Sequence, residues 1–432
     1  MTGLLLIASS AVIPLVGAIV ANRAASAAEA RRVGMTAMAL AAGAAIAGAL
    51  ADGGWTSAVS CFTSAIGLTA VGMSPTVRAR EPRIFARILL VVGAGGVLSV
   101  CVDPAALGIT WVAGVVPVWL ELREGSGGRD GRVFASYLFP SGALVIGGSV
   151  AMSLGLPGPA AALALAAGLA IREAMVPAHS WLPRFVERAP MGIVVAFVTP
   201  QVGVYAHLRF LSGGLPPNIE YVIAALGAVT VVLGAALGVA QRKARRGLGY
   251  LLMSQTALVA FGLEAHTEAG RSGALVAWLV SGLALAGLAM TLAALEARRG
   301  ELSLDRPSGS FRRIPMLASA YLILGLASVG LPGTLGFIGE DLLVQGSVER
   351  FPFLGLTLIV GTALNTITIV RSFFALFTGS RQHAGERDLT VRERASLSLV
   401  LGALVVGGLW PAGALHWLGA DTDGAVAEAT ER

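Results

Sequence analysis

The strongest constraint on this chain is the recurrence of apolar runs long enough to cross about 30 Å of hydrocarbon, separated by short polar connections. About fourteen can be read, at roughly 3 to 21, 34 to 51, 56 to 74, 84 to 102, 105 to 120, 134 to 154, 159 to 178, 190 to 212, 219 to 240, 248 to 264, 272 to 295, 315 to 346, 353 to 378 and 395 to 415. Lipid offers a backbone no hydrogen-bond partners, so such runs predict membrane helices. A hydrophobic fraction of 55%, only 13% charged residues and a mean hydropathy of +0.77 exclude a soluble domain. The first run follows Thr2, with no basic residues before it, and reads as a retained span rather than a cleaved signal.

The placement of charge supports this count. The formal charge is +6, and 25 of the 31 basic residues (all but Arg172, Arg209, Arg271, Arg350, Arg371 and Arg432) fall in odd-numbered connections. By the positive-inside rule those loops are cytoplasmic, both termini lie on the far side, and the basic residues serve topology. Only Lys243 is a lysine; the rest are arginines, which hold their protons at any accessible pH. Trp55, Trp410 and Trp417 read as interfacial anchors, and the tail from 418, acidic at Asp421, Asp423, Glu428 and Glu431, as disordered. Cys61 and Cys101 sit in apolar runs and imply neither disulfide nor metal site. With no phosphate loop, no Cys/His cluster and no nucleophile beside a base, the chain carries no catalytic site of its own. No cofactor, metal or nucleic-acid partner is expected.

Within this pattern, residues 170 to 183 are anomalous. They place Arg172, Glu173 and His179, with Pro177 and Pro183, where a span should be apolar and unbroken. Buried charge is costly and proline frees a carbonyl, so the stretch predicts a broken helix at a polar site. The twelfth run, too long for one straight helix and holding Gly330-Leu331-Pro332-Gly333, predicts a second discontinuous helix. The two lie five spans apart, which inverts one copy relative to the other in the membrane. The expected architecture is an all-α integral membrane protein of about fourteen transmembrane helices, with two inverted five-helix repeats. Residues 1–84 form helices one to three, 85–212 the first repeat, 213–380 the second, and 381–432 the last helix and tail.

The motif Arg172-Glu173-Ala174-Met175-Val176-Pro177-Ala178-His179-Ser180-Trp181-Leu182-Pro183, followed by Ala189-Pro190, Gly203-Val204-Tyr205 and Arg209-Phe210, resembles the hallmark of the antiporter-like membrane subunits of respiratory complex I. That family includes subunits of Mrp-type cation/proton antiporters and membrane-bound hydrogenases. The resemblance continues in the basic turn and helix start at 241 to 255 and in Gly330-Leu331-Pro332-Gly333-Thr334-Leu335-Gly336-Phe337-Ile338-Gly339-Glu340-Asp341, and covers about residues 85 to 380. It implies a mid-membrane relay of charged and polar groups that moves protons or cations, inside an assembly of other membrane subunits driven by a peripheral energising module. The cell inner membrane is the location it implies. An assembly of the NADH:quinone oxidoreductase or hydrogenase type fits. So does an inorganic-carbon uptake system with a zinc-containing cytoplasmic partner, or a non-conducting scaffold role.

The resemblance also shows where this chain departs. Val112 stands where the family has a fifth-helix glutamate, Arg172 replaces a lysine, Gln201 occupies the usual eighth-helix lysine position, and Val195 stands where some members have histidine. The candidate path is therefore Glu340, Asp341, Arg172, Glu173, His179 and Gln201. Arg172 and Glu173 read either as a buried ion pair holding the break or as a fixed charge beside a titrating group. His179 reads as a titratable group or a cap, and Glu340 as the acid best placed to titrate. Asp341 reads as its partner through a shared proton. His207, Arg209 and Arg371 read as snorkelling or packing residues.

Overall fold

The computed structural model describes residues 2–51, 54–76, 82–125, 128–156, 159–211, 215–309, 311–379 and 386–413. The acidic tail with Asp421, Asp423, Glu428 and Glu431, and Trp417 before it, lie outside the described residues. Those described form helices α1 (Thr2–Asn22), α2 (Ala27–Ala51), α3 (Trp55–Met73), α4 (Arg83–Ser99), α5 (Pro104–Gly125), α6 (Arg129–Ser153), α7 (Pro159–Arg172), α8 (Trp181–Arg188) and α9 (Met191–Val198). They continue with α10 (Val202–Phe210), α11 (Pro217–Val239), α12 (Ala244–Leu263), α13 (Glu268–Arg299), α14 (Pro315–Ala327), α15 (Leu335–Arg350), α16 (Pro352–Phe377) and α17 (Val391–Leu409). Among the described residues nine helices, counting 191–210 as one, are long and apolar enough to cross a membrane. The chain is an all-helical, multi-pass membrane protein.

Helix exposure divides the bundle into rim and centre. α1, α2 and α16 leave Leu5, Ile19, Leu40, Leu50, Ile359 and Phe374 exposed, the side chains a helix presents to lipid. α13 is instead buried along nearly its whole length and packs on α3, α9, α12, α14 and α15. Its small residues allow that centrality. A Cβ on Gly282 would stand 2.6 Å from the Thr199 carbonyl oxygen, so the backbone of the α9 end seats directly on α13.

Three pairs of consecutive helices meet at breaks: α7 and α8 across 173–180, α9 and α10 across 199–201, and α14 and α15 across 328–334. The first and third are the two that the prolines predict. The second lies inside the run read from 190 to 212, which is one candidate span but two helices. Pro200 has no N–H to offer an α-helix, and Gln201 adopts a left-handed conformation with φ 43°. The break is tolerated because α13 repairs it: the Trp278 indole donates to the Pro200 carbonyl at 2.9 Å, and Gln201 Nε2 donates to Ser281 Oγ at 3.1 Å. At the third break Gly330 and Gly333 take φ 77° and 87°, which only glycine adopts without strain.

Candidate functional site

The first break is held by a group from α8 itself and by groups from three other helices. Trp181, at the start of α8, donates its indole N–H to the Ile171 carbonyl at 2.9 Å, and Ser141 of α6 donates to Gly168 at 2.7 Å. Thr230 of α11 accepts from the Val176 N–H at 3.0 Å, and Thr256 of α12 donates to the Glu173 carbonyl at 3.2 Å. Ala174 between them takes φ 55°. Each freed backbone group in this apolar setting would otherwise cost a few kcal/mol.

The two charges of the motif point apart. Arg172 lies between two rings, its guanidinium carbon 3.9 Å from the centre of Phe197 and 4.7 Å from that of Trp111, while its Nη1 has no hydrogen-bond partner. Glu173 is buried and accepts from the backbone N–H of Gly203, at the N-terminal turn of α10. That helix end carries partial positive charge and suits a carboxylate. Among the described residues no ion pair links Arg172 to Glu173, so the reading of an ion pair that holds the break is not what the structure contains. Aromatic faces do the holding. Trp111 precedes Val112, and its indole is in turn hydrogen-bonded to Ser141 at 3.3 Å.

The remaining candidates fall in different surroundings. His179 lies in the first break, its carbonyl accepting from the Leu182 N–H at 3.3 Å and its Nδ1 buried without a partner. The N-cap of α8 is Ser180, and no side-chain cap is formed there. Gln201 is buried at the second break, with its Oε1 unpartnered. Glu340 of α15 leans across the third break: Thr362 of α16 donates to its Oε1 at 3.4 Å, and a Cβ on Gly330 would meet its Oε2 at 2.6 Å. Asp341 is exposed on the next face of the helix, and no hydrogen bond joins it to Glu340 among the described residues. The shared-proton reading therefore lacks the required contact. Arg371 of α16 donates to the Gln241 carbonyl at 2.9 Å and also to Val239, closing the end of α11. It is a helix cap rather than a snorkelling residue.

A set of neutral residues that sequence reasoning passed over lies between the breaks. In α12, Ser254, Gln255 and Thr256 are consecutive and buried. Thr256 bonds to Glu173 at the first break, while Ser254 accepts from Asn365 Nδ2 of α16 at 2.9 Å. Asn365 lies one helical turn beyond Thr362, which bonds to Glu340. Thr256, Gln255, Ser254, Asn365 and Thr362 thus set a line of polar side chains between the Glu173 backbone at the first break and the Glu340 carboxylate at the third, bonded at Asn365–Ser254 and Thr362–Glu340. Gln255 Nε2 and Asn365 Oδ1 on it are buried and unpartnered. Asn365 in an otherwise apolar run was the available signal.

At the arginine-rich end, a cavity of about 700 Å³ opens among α4, α5, α8 and the starts of α9 and α12. Its charges are paired: Arg87 with Glu121 and with Glu124 (2.7 Å), Arg245 with Glu296 (2.8 Å), Lys243 with Glu187 (3.0 Å) and Glu301 (2.9 Å). Hydrogen bonding to Lys243 holds the exposed Glu301 carboxyl below its ordinary value, and Glu301 and Glu187 raise Lys243. Arg245 also donates to the Ala189 carbonyl at 2.6 Å, tying α12 to the end of α8. Arg299, buried, pairs with Glu386 and donates to the Leu376 carbonyl at 2.7 Å. Basic loops assigned a topological role thus also clamp the helix ends.

A membrane bundle with proline-broken helices, the buried Glu173 beside the first break, the half-buried Glu340 beside the third and polar side chains between them defines the class of multi-pass membrane subunits built on discontinuous helices. Residues 156–366 match the NADH:quinone oxidoreductase/Mrp antiporter transmembrane family. The chain is 29% identical over 373 residues to NAD(P)H-quinone oxidoreductase chain 4 1 of Synechococcus sp. (strain JA-3-3Ab), covering 77% of this chain and 70% of that one. It is 32% identical over 257 residues to NADH-quinone oxidoreductase subunit 13 of Thermus thermophilus, covering 58% and 54%. Against that second relative the match spans about half of the relative's length. In fold it is similar to a chain of respiratory complex I from Thermus thermophilus, with a TM-score of 0.87, 23% identity and 97% and 98% of the two chains covered. It is as similar to a chain of the Mrp complex from Dietzia sp. DQ12-45-1b, with a TM-score of 0.86, 17% identity and 98% and 97% covered. Over residues 156–366 the chain is similar to the antiporter-like membrane subunits of complex I and Mrp-type antiporters, and it shares their fold along nearly its whole length.

Proposed function

We propose that this chain is a membrane subunit of a complex I-like assembly and contributes to moving protons, or another cation, across the cell inner membrane. The observation that carries this reading is the line of buried polar side chains between Glu173 and Glu340, joined in part by the Asn365–Ser254 and Thr362–Glu340 hydrogen bonds, which sets polar groups between two helix breaks in an otherwise apolar bundle. Neighbours of the same fold come from respiratory complex I and an Mrp complex, which supports other membrane subunits as partners. A peripheral module supplies the energy. Counting each broken pair as one span turns seventeen helices into fourteen, arranged as inverted repeats α4–α10 and α11–α16, with the arginine-rich loops cytoplasmic and both termini outside.

The path uses Glu173 and Glu340 as its titrating ends, with Gln201 and the α12–α16 residues between. Arg172 stays charged, biasing Glu173 without exchanging a proton itself. A second reading, a non-conducting scaffold, has one observation in its favour: the cation of the motif is locked between Trp111 and Phe197. The test is proton uptake into proteoliposomes carrying the intact assembly. Glu340→Gln abolishes coupled uptake if the path is live, and unchanged uptake in a fully assembled complex assigns the chain to the scaffold.

A further inference from the structure

Glu173 faces a second polar feature, away from the line to Glu340. A cavity of about 40 Å³ lies between α7, α10, α11 and α12, lined by Glu173, Gly203, His207, Ala260 and Glu264 among apolar neighbours. A cavity holds a water from roughly 10–15 Å³ upward, given polar partners, so this one has room for about two or three. Its far wall is ionisable. His207 Nδ1 of α10 stands 3.8 Å from Oε1 of Glu264, just past the end of α12, a spacing that one water or a small rotation closes. Both side chains are largely buried, at 14% and 2% exposure. Just beyond, Glu220 in the first turn of α11 lies 3.3 Å from His266 Nε2, and His266 is 37% exposed. All of these outer groups sit at the helix ends opposite the arginine-rich loops.

We propose that Glu173, His207 and Glu264 form a proton outlet from the first helix break to the arginine-poor face, with Glu220 and His266 at its mouth. The inference rests on the proton-moving reading above and adds a direction to it: the first break opens to the arginine-poor side through residues of its own half of the molecule. A proton leaves the Glu173 carboxyl for cavity water and binds His207 Nδ1 or a Glu264 oxygen. It then passes through Glu220 and His266 to solvent. Each step moves one H⁺ between lone pairs, and no electron changes hands. The burial of this pair fits a relay, because a histidine and a carboxylate placed only for packing would need no water-sized space between them and a third acid.

The intact assembly in proteoliposomes with an internal pH dye tests this. His207→Phe and Glu264→Gln are expected to lower proton flux by about a hundredfold, with partial recovery in Glu264→Asp. Full flux in both variants, with flux abolished in Glu340→Gln, overturns the outlet and leaves the proposed function standing. An unmodified assembly that conducts no protons overturns both. A readout independent of flux covers variants that fail to assemble. In the purified full-length chain, the infrared carboxyl band lost on Glu264→Gln is expected to shift within minutes of transfer to D2O. A band that stays unshifted for hours overturns the outlet.

Discussion

Arg172 carries the fold motif and at the same time limits the chemistry available at it. A guanidinium between Phe197 and Trp111 gains about 2 kcal/mol from a desolvated cation–π contact, which offsets part of the cost of burying it. Arg172→Lys, which replaces a flat stacking group with a compact, strongly hydrated one, is expected to destabilise the chain by about 1–2 kcal/mol. A lower Tm in detergent checks it, and an unchanged Tm shows that the rings do not hold the cation. Val112→Glu is expected not to raise proton flux, because Arg172, stacked on the preceding Trp111, remains unable to release a proton; flux of the reconstituted assembly reads this directly. At this scale the sequence was informative about identity and poor about contact. Arg172 and Glu173 are adjacent in the chain and suggest a pair. Their side chains leave the end of α7 in different directions, and only the packed rings and the α10 N-terminus show where each goes.

The breaks themselves belong to the scale of the element. A proline or a glycine announces that a helix stops, but the cost of stopping is met by other helices, and those partners are remote in sequence. Trp278 is the clearest case, since its indole satisfies the Pro200 carbonyl from α13. Trp278→Phe leaves that buried acceptor without its donor and is expected to cost about 1–3 kcal/mol, measurable as a fall in Tm. Gly330→Ala acts on the third break twice, by straining a φ of 77° and by crowding Glu340 Oε2. It is expected to reduce proton flux in the same sense as Glu340→Gln while the assembly still forms, and undiminished flux would separate the break from the path. Pro177, Pro183 and Pro332 made the first and third breaks legible in advance. The second was missed because Pro200 sits within a run whose hydropathy stays high on both sides.

For the molecule as a whole, the charged clamps at the arginine-rich end set a pH range. Glu301 is held below its ordinary value by Lys243, so its contribution to stability is full above the ordinary carboxylate range and is lost as pH falls through the lowered folded value. Lys243 is raised by the same partners, so its contribution is full below its ordinary value and is lost only as pH rises through the raised one. Stability of the purified chain is expected to be flat between these limits. Lys243→Gln removes the acid-side dependence that comes from Glu301, as thermal unfolding at a series of pH values would show; an unaltered acid limb would mean the pair contributes nothing there.

The sequence by itself determined that the chain is an all-helical membrane protein, which family it resembles, and where two of its helices break. Those properties follow from hydropathy, charge alternation and proline, all of which act locally along the chain. Only the tertiary structure decided which polar groups meet. Ser254, Thr256, Thr362 and Asn365 carry no charge and look like ordinary helix residues, and His207 reads as packing until Glu264 and a water-sized cavity are found beside it. In an apolar bundle a polar side chain gains its meaning from the single partner that satisfies it, and that partner is set by helix packing rather than by its place in the chain.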